Sequence, residues 1–249
     1  MELTGIENLD KILGGGLPRP AALAVYGPMG SGKSFLIRNI LSQKLQDKTF
    51  SCLFYAVDQP AEEVKEDLKK LGIDVKQHEE KGTLSFVDVF TLGVQKVGES
   101  YRDEQQSGTT VLRSGLQFSD LIDKGREFTL KNLKKKQLVI LDSITPFFLM
   151  SDPREVFHYC QTMKYATRFA NAIGIAINHS EVLDDKTENA FYGFADGLIE
   201  LKKSSDITGG QIYGILKIDR MSKQDYLKGK FYYEIKDDQI DISMVGGIV

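Results

Sequence analysis

AALAVYGPMGSGKSFLIRNILSQKLQ, residues 21–46, decides how the rest of the chain is read. AALAVY is a near-continuous apolar run, the pattern of a strand buried on both faces. From Lys33 to Gln46, Ile37, Ile40, Leu41 and Leu45 recur at helical spacing and make one apolar face. GPMGSGKS joins the two and fits G-x-x-x-x-G-K-[ST] at Gly27, Gly32, Lys33 and Ser34. Glycines there let the backbone aim several N–H groups at phosphate oxygens, and the helix that follows adds its positive end. Lys33 is expected to reach the β- and γ-phosphates and the Ser34 hydroxyl to ligate Mg²⁺. The predicted phosphate-binding set is Gly27, Pro28, Met29, Gly30, Ser31, Gly32, Lys33, Ser34 and Phe35, and the predicted ligands are ATP and Mg²⁺. A plain glycine-rich turn is the alternative, but the strand before and the amphipathic helix after are the context the phosphate loop requires.

Outward from this unit, strand and helix patterns alternate. SCLFYAV (residues 51–57) reads as the next strand, and Pro60 with Glu62 and Glu63 suits the first turn of a helix ending near Gly72. TLSFVDV (83–89) reads as a third strand, and the polar stretch from about 93 to 117 as a long loop. Ser119 is expected to cap a helix running to about Leu133, QLVIL (137–141) to form a strand, and Pro153 to open a helix ending near Ala172. GIAIN (174–178) is a further core strand; GLIELKK, QIYGILKI, FYYEI and QIDI then alternate like antiparallel strands. The fold class is α/β: a mostly parallel central sheet flanked by helices, with antiparallel C-terminal strands, in one domain over residues 1–249.

Asp142 ends the apolar strand LVIL. A carboxylate at that place holds Mg²⁺ through water in phosphate-loop proteins; capping of the next segment is the alternative. The next residue is Ser143 rather than Glu, so a catalytic carboxylate has to come from another strand.

The segment TGIENLDKILGGGLPRPAALAVYGPMGSGKS, the strand LVILDS and the strand FADGLIEL resemble the KaiC-like and archaeal RadA-paralogue branch of the RecA superfamily. The resemblance covers essentially the whole chain as one domain. It implies a RecA-like P-loop NTPase core, ATP binding, often slow hydrolysis, and frequent homo-oligomer assembly with nucleotide at subunit boundaries. The clock proteins of this branch carry two such domains and this chain one; the recombinases carry an extra N-terminal DNA-binding domain, whereas here the motif begins at Thr4. Where KaiC-like relatives place a Glu-Glu pair, the strand after the phosphate-loop helix ends in Asp58 and Gln59, which become the candidate catalytic residues and predict slow turnover; the alternative is that they only begin the next helix beside Pro60, with the base elsewhere. His179, after GIAIN, stands where related ATPases place a γ-phosphate sensor; a solvated or capped histidine is the equal alternative. Lys217 and Arg220, with Lys223, are the nearest candidates for the family's trans-acting basic pair, at a spacing that differs from the family's; exposed edge-strand cations are the other reading.

Composition restricts the partners. Hydrophobic residues make up 41% and charged residues 27%, ordinary for a soluble globular chain. Against 32 Lys and Arg stand 35 Asp and Glu, a net charge of −3, whereas a dedicated nucleic-acid binder shows a basic excess. KNLKKK (131–136) is basic but falls at an expected helix end, where cations are favoured. Phe147 and Phe148 in TPFFLM, where RecA relatives have a DNA-facing loop, can stack on bases, fill the core or face another subunit. SEVLDDKTENAFYG, which falls where RecA relatives place a second DNA-facing loop, sets Glu181, Asp184, Asp185 and Glu188 against Lys186 alone, a balance that repels a phosphate backbone. Cys52 and Cys160 lie far apart and outside any CxxC pair, so both read as buried thiols. No apolar run reaches the roughly 18 to 20 residues that span a bilayer, and MELTGIENLD does not read as a secretory signal, so the expected location is cytoplasmic.

The leading functional expectation is a slow Mg²⁺-dependent ATPase acting as a nucleotide-dependent switch. The alternatives are a recombination accessory protein that binds single-stranded DNA and modulates a recombinase, and a module that holds ATP without turnover and signals through protein contacts.

Overall fold

The computed structural model describes residues 1–91, 109–111, 118–203 and 212–244. In chain order the elements are α1 (Glu7–Ile12), β1 (Ala21–Gly27), α2 (Lys33–Gln46), β2 (Phe50–Ala56), α3 (Ala61–Lys70), α4 (Val75–Glu80), β3 (Leu84–Asp88) and β4 (Thr109–Val111). They continue with α5 (Phe118–Lys131), β5 (Lys136–Asp142), α6 (Thr145–Met150), α7 (Pro153–Phe169), β6 (Ile173–His179), α8 (Asp185–Phe194) and β7 (Gly197–Lys203). β8 (Ile212–Met221), β9 (Phe231–Lys236) and β10 (Gln239–Ser243) close the described chain.

Ten strands form one sheet in the order β10-β9-β8-β7-β1-β6-β5-β2-β3-β4. β2, whose residues are all buried, shows why the sheet needs helices on both faces. Its Cys52 and Phe54 point into a core with Leu36, Ile40 and Leu41 of α2 and Val64 and Leu68 of α3. Leu53 and Tyr55, one residue out of phase, point into a second core with Leu121 and Phe128 of α5, Val156 and Tyr159 of α7 and Phe191 of α8. The expected α/β class is the observed one.

Several local expectations shift. β7 was expected among the antiparallel strands, but it pairs in parallel with β1, Leu23 against Gly197, and the antiparallel part begins with the β7–β8 pair. Most of the expected loop over residues 93–117 lies outside the described residues; within it, Thr109–Val111 form a strand parallel to β3. Ser119 is not a cap, because α5 already begins at Phe118. The long helix α7 stops at Phe169 and is capped by Asp152, whose side chain accepts from the Arg154 N–H at 2.8 Å. TPFFLM is the short helix α6, and the acidic stretch after His179 folds into α8 behind an Asp184 cap. Cys52 is buried as expected, but Cys160 on α7 is only half-buried. Among the described residues no helix is long and apolar enough to cross a membrane.

Candidate active site

The sheet order brings the C-terminal ends of β7, β1, β6, β5 and β2 side by side. Such an edge is where open α/β sheets bind ligands. β1 runs into the phosphate loop at Gly27, β6 ends in His179, β5 ends in Asp142, and β2 delivers Asp58 and Gln59 just beyond its last residue.

Glycine is required in the loop for stated reasons. Gly27 has φ 149°, and a Cβ on it would lie 1.9 Å from the Leu201 carbonyl oxygen, so the loop backbone presses directly on β7. Gly32, with φ 79°, lets the chain enter α2 while Ile235 packs 2.6 Å from where its Cβ would be. From the far side, the Tyr233 hydroxyl donates to the Ser31 carbonyl at 2.5 Å. Lys33, the first residue of α2, is buried and donates to the carbonyl oxygens of Gly27 and Pro28, both at 2.8 Å. Burial lowers its pKa to about 8, although Asp142 and Asp58 act in the opposite direction.

Asp142 is buried, and its backbone carbonyl accepts from the Val57 and Asp58 N–H groups at 2.7 and 3.0 Å, which fixes the β5 end against the β2 end. The Asp142–Ser143 peptide bond is cis. Burial first, and the negative charge of Asp58 second, push the Asp142 carboxyl up to about 6; Arg38, the Ser34 hydroxyl and His179 pull it back. Its Oδ1 is buried without a hydrogen-bond partner. An orphaned carboxylate oxygen beside the Ser34 hydroxyl is what a divalent cation would satisfy. Among the described residues no cluster of three or more His, Cys, Asp or Glu is arranged to hold a metal by itself. Mg²⁺ takes one or two protein oxygens and the substrate's phosphates rather than a full protein cage.

The chain's own geometry joins residues that the sequence treated separately. Asp58 accepts from the Ser143 hydroxyl at 2.8 Å through Oδ1, and its Oδ2 lies 2.5 Å from Nε2 of His179. His179 is placed by its own N–H, which donates to Thr145 Oγ at 2.8 Å, and Thr145 donates to Asn178 at 3.0 Å. Gln59 turns the other way: its Oε1 accepts from Arg38 of α2 at 2.8 Å, and its Nε2 is buried without a partner. Lys217 pairs with Asp219 at 2.5 Å, and Arg220 donates to the Tyr192 and Ala195 carbonyl oxygens at 2.6 and 2.8 Å. Within one chain both cations are thus engaged with β8 and α8 rather than with the loop.

A family model described as "ATPase: KaiC" matches residues 3–246, nearly the whole chain. The chain belongs to the KaiC family of ATPases. Nucleotide binding on a RecA-like core follows from that membership. A UPF0273 protein of Aeropyrum pernix is 27% identical over 242 residues, covering 95% of this chain and 91% of its own. The UPF0273 protein MJ1359 of Methanocaldococcus jannaschii is 30% identical over 91 residues, 36% of this chain and 38% of its own length. The circadian clock oscillator protein KaiC of Picosynechococcus is 22% identical over 249 residues, covering 98% of this chain and 45% of that protein.

Two contacts escaped sequence reasoning. Asp58 and His179 are 121 residues apart, and no spacing rule pairs them. Lys203, at the end of β7, comes to the phosphate loop; its position at a strand terminus on the same edge was the available signal.

Proposed function

We propose that this KaiC-family chain is a slow Mg²⁺-dependent ATPase of the cytoplasm that serves as a nucleotide-dependent switch. The observation that carries the reading is the alignment of loop, Asp142 and Asp58 on one sheet edge, with Asp58 held by Ser143 and His179. The residues fit the ligands: Gly27 and Gly32 leave no room for a Cβ at the loop, and Asp142 Oδ1 is an unpartnered acceptor.

Loop N–H groups and Lys33 would hold the phosphates, and Lys33 would exchange its two carbonyl partners for phosphate oxygens. Ser34 directly, and Asp142 through water, would hold Mg²⁺, which when bound neutralises charge on the β- and γ-phosphates. Asp58 accepts the proton of the attacking water. Gln59 can orient that water only after it leaves Arg38, which here holds its carbonyl oxygen and leaves its amide buried. An aspartate is a methylene shorter than the glutamate of KaiC-like relatives, and a misplacement of about 1 Å costs roughly a hundredfold in rate. Slow turnover leaves ATP bound for long periods, which is the property of a switch.

Calorimetry of Lys33→Ala with ATP and Mg²⁺ tests the reading. The variant loses the loop's buried cation, and affinity is expected to fall at least tenfold, on the order of 1.5–3 kcal/mol for a charged hydrogen bond. Unchanged affinity would remove the phosphate-loop assignment.

A further inference from the structure

Lys203 is the last residue of β7, two residues beyond Leu201, whose carbonyl lies against Gly27. Its Nζ is 2.8 Å, and its Cε 3.1 Å, from the place a Cβ on Gly30 would take. The lysine therefore lies across the tip of the phosphate loop. Its placement is not left to a free strand end. The Tyr233 hydroxyl that contacts the Ser31 carbonyl at 2.5 Å also lies 3.4 Å from the Lys202 carbonyl, so one side chain ties the loop to the end of β7.

The neighbouring lysines have carboxylate partners. Lys202 pairs with Glu200 at 2.9 Å and Lys217 with Asp219 at 2.5 Å. Lys203 is exposed and, among the described residues, pairs with no carboxylate. It also faces a like charge, because Lys203 and Lys33 repel each other across the loop. Two cations at one loop, one without a counterion, form a site that an anion of high charge stabilises.

We propose that Lys203 is a second cation of the phosphate cradle and binds the polyphosphate of a nucleoside triphosphate from the β7 side, within the same protomer. The proposal rests on the nucleotide-binding reading of the loop. Lys203 supplies a point charge on a flexible stem, so arginine, with its charge retained, serves in its place for attraction though not for identical geometry.

The test is calorimetry with Mg·ATP on the full chain, at low and at near-physiological salt, for wild type, Lys203→Met, Lys203→Arg and Lys33→Ala. Lys203→Met is expected to weaken binding roughly tenfold and to flatten its salt dependence, since one screened charge is gone. Lys203→Arg should recover most of the affinity. Lys203 is exposed, so the methionine variant is expected to fold, and an unchanged melting temperature checks this. If Lys203→Met binds within about twofold of wild type while Lys33→Ala fails, Lys203 is not in the cradle and the loop assignment survives. If Lys33→Ala also binds normally, the loop assignment is the part that falls. Recovery of binding on mixing Lys203→Met with Lys33→Ala would show that Lys203 serves a neighbour's loop, which overturns the placement within one protomer.

Discussion

Nε2 of His179 lies 2.5 Å from Oδ2 of Asp58, joining the end of β6 to the end of β2 across the intervening β5. With Ser143 on the other oxygen, each carboxylate oxygen has one partner and keeps a second lone pair, so the group is oriented before any substrate arrives and can still accept a proton. A carboxylate held in this way acts as a base with little reorganisation.

Asp58→Asn keeps the shape and removes the proton acceptor. Single-turnover hydrolysis should slow by roughly 10²–10⁴-fold while ATP affinity stays at the wild-type value. His179→Ala leaves the acceptor but releases its orientation, and a loss of roughly tenfold to a hundredfold is expected. Rapid-quench measurement of both variants decides; wild-type rates in Asp58→Asn would place the base elsewhere.

Gly27→Ala should abolish nucleotide binding and lower the melting temperature. Its φ of 149° is strained for any residue with a Cβ, and the added methyl would meet the Leu201 oxygen at 1.9 Å. Neither backbone can move alone, because β1 and β7 are hydrogen-bonded neighbours in the sheet. Differential scanning fluorimetry with and without ATP reads both effects, and an intact ligand-induced shift in the variant would contradict the packing argument.

Asp196, which follows α8, gives a pH-dependent contribution to stability. Its Oδ2 accepts from the Ala22 N–H at 3.0 Å and its Oδ1 from Arg168 at 2.9 Å, with Lys164 at 3.4 Å. Burial raises its pKa, but the Ala22 N–H and the two cations together hold it below the ordinary carboxylate value. A depressed folded pKa means the stabilisation is full above about 3.9 and is lost as pH falls through the lower folded value. Asp196→Asn should therefore cost about 1–3 kcal/mol near neutral pH and progressively less in acid. Urea denaturation of both proteins at several pH values checks it; a difference that stays constant down to acid pH would rule out the charge as the cause.

The strand, loop and helix around Lys33 were legible because each obeys a local rule: apolar run, glycine spacing, helical period. Asp142 was legible as the polar residue closing LVIL. The Asp58–His179 contact and the approach of Lys203 to Gly30 were not, because they depend on sheet order, which sets β5 between β2 and β6 and β7 beside β1. For the same reason the alternating pattern of β7 does not show that it is antiparallel only to β8 and parallel to β1 on its other edge. α8 was hidden by its acidic composition, which favours a helix start as much as a loop.

Single-stranded DNA should bind weakly, and the structure sharpens the reason given by the net charge of −3. Phe147 and Phe148, the aromatic candidates for stacking, are 2% and 7% exposed. Phe147 packs on Phe118 and Tyr159, and Phe148 on Phe157 and Phe191, so they belong to the core beneath α7. Stacking worth about 1–3 kcal/mol per base is therefore not on offer from these rings. At the neighbouring start of α8, Asp184 is committed to its cap, accepting from the Thr187 N–H at 3.0 Å and the Thr187 hydroxyl at 2.7 Å, and Asp185 and Glu188 add further negative charge. A phosphate backbone approaching this edge meets repulsion, and binding through surface lysines such as those of residues 131–136 is screened by salt. Fluorescence anisotropy of a labelled strand should show little binding near physiological salt and a steep decline as salt rises. Tight binding with a shallow salt slope would mean that bases are held by contacts absent from this arrangement, and it would favour a recombination accessory over an ATP-driven switch.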